Sequence, residues 1–294
     1  MERELWTSVY RIMQLLDKPW GHWKYSSSDI LAVYFWAVVH DRPMCWATTA
    51  GNWPQDIRPQ AFPCQSTLSR RMRRADAQQL MTQVETTWLG VVGVNLWWMH
   101  IIDAKGLPVA GVSKDQDVRY GRCAGGMATG YKFFAVWGHG PLPLAWALAP
   151  MNMSEKTMAR ELIPSLPGSG YLLGDAEYDA NRLYDLANNA DYQLLARKRK
   201  PRGGAGTGLG HRRQSPCRLR SIEILKTRFG KQLFRFRRQI ERDFGGLTCF
   251  GGGLSPLPAW VRRFPRVRNW VQAKLLVNAV RWFKLYLPEA LALA

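Results

Sequence analysis

Residues 171–197 read YLLGDAEYDANRLYDLANNADYQLLAR. The apolar run Tyr171–Leu173 stops at Gly174 and Asp175, as a short buried strand does where a turn begins. DANRLYDLANNA then has helical character, and Tyr192–Arg197 forms a second apolar run. A strand, a helix and a strand in so short a stretch predict an α/β layer in which helices pack on a sheet.

The same alternation extends upstream. LWWMHIID (96–103) reads as a buried strand ending at Asp103, and YKFFAVW (131–137) and PLAWALAP (143–150) as two more, joined by a turn at Gly138–Pro141. SEKTMARELIPSL reads as a helix capped by Ser154. Downstream, residues 198–220 are basic, Gly-rich and aperiodic, a loop or basic arm. Helical character resumes in SIEILKTRFGKQLFRFRRQIERDFGGLTCF, which carries Glu241.

Residues 1–95 follow a different period. Leu5, Val9, Ile12, Leu15 and Leu16 fall at helical spacing. Ser26–Ser28 and Asp29 are placed to cap a helix through ILAVYFWAVV, and Ser66 to cap a third helix, TLSRRMRRADAQQLMTQVETTW. Arg70, Arg71, Arg73 and Arg74 crowd one end of that helix. The expectation is a small helical module, of a helix-turn-helix kind, that binds DNA or dimerises.

The net charge of +19 points to a polyanionic partner, most often nucleic acid. Residues 196–294 carry 23 basic and 4 acidic side chains, which accounts for all of it. Residues 96–195 carry 8 and 10, a slight acidic excess where carboxylates would gather for chemistry. The five cysteines, 45, 64, 123, 217 and 249, form no CxxC pair, which argues against zinc or a disulfide framework and for a reducing compartment. MERELWTSVYRIM lacks the pattern of a signal peptide, and the apolar run Ile30–Val39 is too short to span a bilayer. The expected location is the cytoplasm, in association with the nucleoid.

Asp103 and Asp175 each end an apolar strand, where a sheet can hold a carboxylate rigidly against a divalent ion. Taken singly, either reads equally well as a turn or cap residue. In GDAEYDA, Asp175 directly follows the strand and is preferred, Asp179 reads as the next helix's N-cap, and Glu177 as a spectator or a group supporting the ligand. Arg237 lies one turn before Glu241. Helical spacing alone favours an ordinary exposed ion pair; the sharper reading is a metal-binding glutamate beside an arginine that grips phosphate. The 14 tryptophans, among them Trp97, Trp98, Trp260, Trp270 and Trp282, are read mostly as packing residues, with base stacking as the alternative use for a few.

IIDAKGLPV, ATGYKFFAVW, LLGDAEYDANRLYDLANNADYQLLARKRK and RRQIERDFGGLTCF, in that order, resemble bacterial insertion-sequence transposases of the IS4/IS5 group over about residues 97–284. Against the IS4-type signature Tyr-x2-Arg-x3-Glu-x6-Lys, this chain has Phe234, Arg237, Glu241 and Thr248; IERDFGGL followed by an Arg-rich tail and LLVNAVRW is closer to the IS5-like form. The resemblance implies an RNase H-like mixed sheet flanked by helices (96–294) behind the helical module (1–95), with a basic insertion at about 198–220. It implies a catalytic triad of Asp103, Asp175 and Glu241 holding two Mg²⁺ ions, with Mn²⁺ as a substitute. It further implies DNA contacts from Arg237, Lys132, Arg197, Lys198, Arg199, Lys200, Arg70 and Arg71, with strand packing an equal reading for Lys132. The implied activity is DNA strand cleavage and transfer at terminal inverted repeats and target DNA, by a homodimer and without a membrane partner. The alternatives are an RNase H-like nuclease that does not join, and a non-catalytic DNA-binding derivative.

Overall fold

The computed structural model of the chain describes residues 1–18, 23–93, 98–111, 113–138, 140–199, 209, 213–249 and 253–288. It divides into two compact units. One comprises Met1–Val91, Val109–Asp117 and Gly246–Ala294; the other comprises Val92–Pro108 and Val118–Gly245. The division expected from sequence was contiguous at residue 95. It differs because the final helix packs among the N-terminal ones.

The helical unit contains α1 (Glu2–Leu16), α2 (Ser27–Val39), α3 (Met44–Ala47), α4 (Gln65–Arg71), α5 (Ala75–Val91) and α11 (Phe264–Tyr286). Ser26 and Asp29 form a reciprocal capping box at the start of α2, as their spacing predicts. Every residue of α2 except Asp29 is buried, so α2 is the central helix of the unit. Trp6, Trp36 and Trp53 pack ring on ring, and each indole N–H donates to a backbone carbonyl, of Ala32, Asn52 and Ala47 respectively. These tryptophans are packing residues.

The single helix expected from Ser66 is two helices, with Cys64 rather than Ser66 at the first N-cap. Arg71 explains the break. Its buried guanidinium donates to the Tyr25 carbonyl at 2.9 Å and to Asp76 at 3.0 Å, and Asp76 lies in the first turn of α5. The chain opens between the helices and brings both partners round the guanidinium.

α11 has an unusual start. Its N-cap, Arg263, has a left-handed φ of 73° and no side-chain cap. Carboxylates of the 109–117 segment serve instead: Asp115 accepts from the Arg263 N–H at 3.0 Å and Asp117 from the Phe264 N–H at 2.8 Å. Further along α11, the buried Lys274 ammonium lies 2.6 Å from Asp41.

The other unit is built on a six-stranded mixed sheet: β1 (Met99–Pro108), β2 (Arg119–Cys123), β3 (Gly126–Trp137), β4 (Ala145–Pro150), β5 (Gly170–Gly174) and β6 (Tyr192–Ala196). The order is β2-β3-β1-β5-β6, with β4 also on β3. β1–β5 and β5–β6 are parallel; the pairs involving β3 are antiparallel. β1 does not end at Asp103 as expected. Its parallel pairing with β5 stops at Ile101–Leu173, but antiparallel β3 continues beside it to the Pro108–Gly130 pair.

Helices α6 (Glu155–Leu162) and α7 (Asn181–Asn189) cover one face through Met158, Leu162, Leu183 and Tyr184, against Ile102, Phe134, Val136, Leu172 and Leu194. α8 (Pro216–Lys226), α9 (Arg228–Arg235) and α10 (Gln239–Cys249) follow β6. α8 starts inside the 198–220 span read as an arm, because Ser215 accepts from the Cys217 and Arg218 N–H groups and Pro216 fits the first helical turn.

Asp179 is not the N-cap of α7; Ala180 holds that place. Both Asp179 oxygens accept from Arg218 at 2.7 Å, in a pair whose side chains are 2% and 10% exposed. Burial alone would raise the Asp179 carboxyl, but the Arg218 bonds hold it below its usual range. Removing one partner leaves an uncompensated buried charge. Arg218→Met should therefore cost about 3–5 kcal/mol in a urea titration, whereas loss of the exposed Lys226–Glu223 pair by Lys226→Met should cost under about 1 kcal/mol. Equal effects would remove Arg218 as the tie between α8 and the β5–α7 turn.

Candidate active site

The parallel pairs Met99–Tyr171, His100–Leu172 and Ile101–Leu173 set the register of β1 against β5. Carried forward along both chains, that register brings Asp103 level with Asp175. Side chains alternate along a strand, and Ile102 belongs to the layer under α6 and α7. Asp103 therefore faces the other way. Phe133 and Trp137 of β3 pack edge-on against Phe244 of α10, with centroids 6.0 and 6.4 Å apart, which sets α10 over the Asp103 face.

Arg237, in the turn before α10, joins the helix to the sheet. Its Nη1 lies 3.7 Å from Asp103 Oδ2 and its Nη2 3.7 Å from Glu241 Oε1. Asp103 and Arg237 are 22% and 24% exposed, whereas Glu241 is 68% exposed. Asp175 accepts from the Glu177 N–H at 2.8 Å and so caps the short 3₁₀ turn Ala176–Tyr178. The structure thus brings Asp103 beside Asp175 by register, and Glu241 towards them through Arg237.

A fourth carboxylate lies within electrostatic reach, on the α6 side of the sheet. Glu155, in the first turn of α6, lies 3.5 Å from Lys132 Nζ, and both are largely buried. Burial pushes Glu155 up to about 7, against the pull of Lys132, and the charges of Asp175 and Asp103 push the same way. Asp103 is pushed up to about 6, first by burial and then by Asp175 and Glu241, against the Ala104 N–H and Arg237. The buried Tyr178 hydroxyl lies beside Glu155; burial, then the charges of Glu155, Asp103 and Asp175, raise its ionisation well above the usual value. Sequence reasoning missed Glu155 and Tyr178. The available signal was an acidic residue opening the helix directly after β4, which is also an ordinary helix-start preference.

The residues expected to meet DNA have different environments. Lys132 is 12% exposed and engages Glu155, so its ammonium is committed within the cluster. Arg71 is buried and bound to Asp76, so it is not offered to phosphate. Arg70, Arg197, Lys198 and Arg199 are exposed; Arg197 also lies over the Phe234 ring, and Arg199 is 3.5 Å from Glu177. Lys200 and most of the basic segment lie outside the described residues, as does Trp97.

Among the described residues, no three His, Cys, Asp or Glu side chains already form a cation cage. Asp103 and Asp175 supply hard oxygen donors, and the ionised form of Asp103 is disfavoured first by burial and then by the charges of Asp175 and Glu241. That donor set fits Mg²⁺, which takes one or two carboxylates together with water and substrate phosphate. No helix is long and apolar enough to cross a membrane among the described residues. The chain matches no family model, no curated protein and no solved structure.

The electrostatics of Asp103 can be measured. In the native state its carboxyl titrates near 6, against about 3.9 in an unfolded chain. Between those values the native state holds the extra proton, so stability falls as pH rises and the loss is complete above about 6. In metal-free buffer, Asp103→Asn should be more stable than the parent at pH 8, by on the order of 1–2 kcal/mol after loss of the Arg237 pair. The gain should shrink towards pH 5. A variant less stable than the parent at pH 8 in chemical denaturation would contradict this electrostatic account.

Proposed function

We propose that this chain is a DDE-type DNA transposase with an RNase H-like catalytic unit. The observation that carries the proposal is the convergence of Asp103, on β1, and Asp175, just past the end of the adjacent parallel strand β5, with Glu241 tied to Asp103 by Arg237. Two supports are independent of it: the mixed sheet flanked by helices, and the concentration of the +19 net charge in the last third of the chain.

In this reading Asp103, Asp175 and Glu241 would hold Mg²⁺, which would supply activation of an attacking oxygen and charge stabilisation of a leaving oxygen at a phosphodiester. Glu241 leaves the Arg237 guanidinium to do so, and Arg237 is then free to take a non-bridging phosphate oxygen. Lys132 offsets the charge of Glu155. Glu155, near 7, can hold or release a proton at the working pH. The exposed Arg197, Lys198 and Arg199, with the basic segment after them, position DNA by salt-sensitive phosphate contacts. The helical unit recognises terminal repeats or dimerises.

The test is cleavage of a supercoiled plasmid carrying the gene with its flanking DNA. Mg²⁺-dependent nicking and end joining are expected. Asp103→Asn, Asp175→Asn and Glu241→Gln should each reduce both to background while a mobility-shift assay shows DNA binding retained. Cleavage without joining would make the protein an RNase H-like nuclease instead. Full cleavage by the three single variants would exclude this site as the catalytic one.

A further inference from the structure

Helix α9 spans the distance from the start of β5 to the carboxylates. At its first turn the Phe229 and Tyr171 rings meet, with centroids 5.8 Å apart. In the turn after it, Arg237 reaches Asp103, which is level with Asp175. Leu172 belongs to the layer under α6 and α7, so Tyr171 faces the same side of the sheet as Asp103. From Tyr171 to Asp175 a strand rising about 3.3 Å per residue covers about 13 Å. The 8 residues of α9 cover about 12 Å at a helical rise of about 1.5 Å.

The outer side of this helix is cationic. Arg228, Lys231 and Arg235 lie at helical spacing on one stripe, opposite the buried Leu233 and Phe234. All three are exposed, and none forms an ion pair among the described residues. Like charges three and four residues apart on a helix repel, so the stripe costs stability until an anion covers it. At the end remote from the carboxylates it meets open aromatic rings. Phe229 is 49% exposed and Trp98 is 55% exposed, and both touch the Tyr171 ring, Trp98 with centroids 6.0 Å apart.

We infer that α9 seats an unpaired DNA strand: its phosphates follow Arg228, Lys231 and Arg235 towards Asp103 and Asp175, and its bases stack on Phe229 and Trp98. A row of cations beside exposed rings is the chemistry by which proteins hold single strands. Duplex DNA keeps its base faces stacked inside and has no use for the rings. A second copy of this chain, with a net charge of +19, would bring like charge to the stripe. The direction of the strand rests on the proposed role of the carboxylates; its binding needs no divalent ion.

Fluorescence anisotropy in EDTA tests the inference with three labelled probes of equal length: oligo(dT), its abasic counterpart and a duplex. The abasic strand carries the same phosphates, so charge-driven binding elsewhere on the protein is common to both. Trp98→Ala, Phe229→Ala and the double variant Arg228→Gln/Arg235→Gln alter exposed side chains, and circular dichroism checks their folding. The parent should bind oligo(dT) about 10-fold more tightly than the abasic strand. Trp98→Ala and Phe229→Ala should each remove most of that difference and leave the abasic strand unchanged. The double arginine variant should weaken both strands and flatten their salt dependence. Asp103→Asn should bind oligo(dT) as the parent does, so failure of the strand site and failure of the catalytic reading are read apart. Equal affinity for oligo(dT) and the abasic strand, a duplex bound as tightly as oligo(dT), or folded ring variants with parental affinity would overturn the inference. So would self-association in analytical ultracentrifugation that Phe229→Ala abolishes, which would make the rings a contact between copies of the chain.

Discussion

The candidate site depends on the parallel pairing of two short strands, β1 and β5. Side chains alternate with a period of two, so a slip of one residue would turn Asp103 out of line with Asp175 and bury a charge in the apolar layer under α6 and α7. The register is held from both sides. Antiparallel β3 locks β1 along its whole length past Asp103, and β6 pairs with every residue of β5. At Gly170, where φ is 132°, a Cβ would lie 2.1 Å from the Trp98 carbonyl oxygen. The backbones therefore approach so closely that only glycine fits, and this pins the entry of β5 beside β1.

This register places like charges together, and the unit answers with cations of two kinds. Lys132 projects from the sheet itself and stays with Glu155. Arg237 comes from the helical layer and reaches two acids at 3.7 Å, a distance longer than a tight ion pair. One counter-charge is thus rigid and the other loosely held. In the proposed function only the loosely held one has to change partners.

Much of this organisation can be read from residues near one another in the chain. The strands around Asp103 and Asp175 follow from apolar runs, and the start of α2 from its Ser-Asp capping box. Features that depend on distant partners cannot be read that way. Asp179 looked like a cap because Arg218, its bidentate partner, lies 39 positions away. Arg71 looked like a surface charge because nothing local announces the carbonyl of Tyr25. Glu155 reads as an ordinary first-turn acid until α6 is placed on the sheet. The return of α11 to the N-terminal helices was invisible because apolar periodicity says that a face is buried and not what covers it.

That return has a consequence for how the molecule is made. Asp41 waits for Lys274, 233 positions later, and the start of α11 waits for Asp115 and Asp117. A ribosome releases the first helices of this unit long before the one that completes it, whereas β1 to β6 can assemble in between. During that interval the newborn chain carries α2, apolar on nearly every side, without its final cover. Nascent copies synthesised close together would be prone to clump, so slow or dilute expression should favour the soluble form.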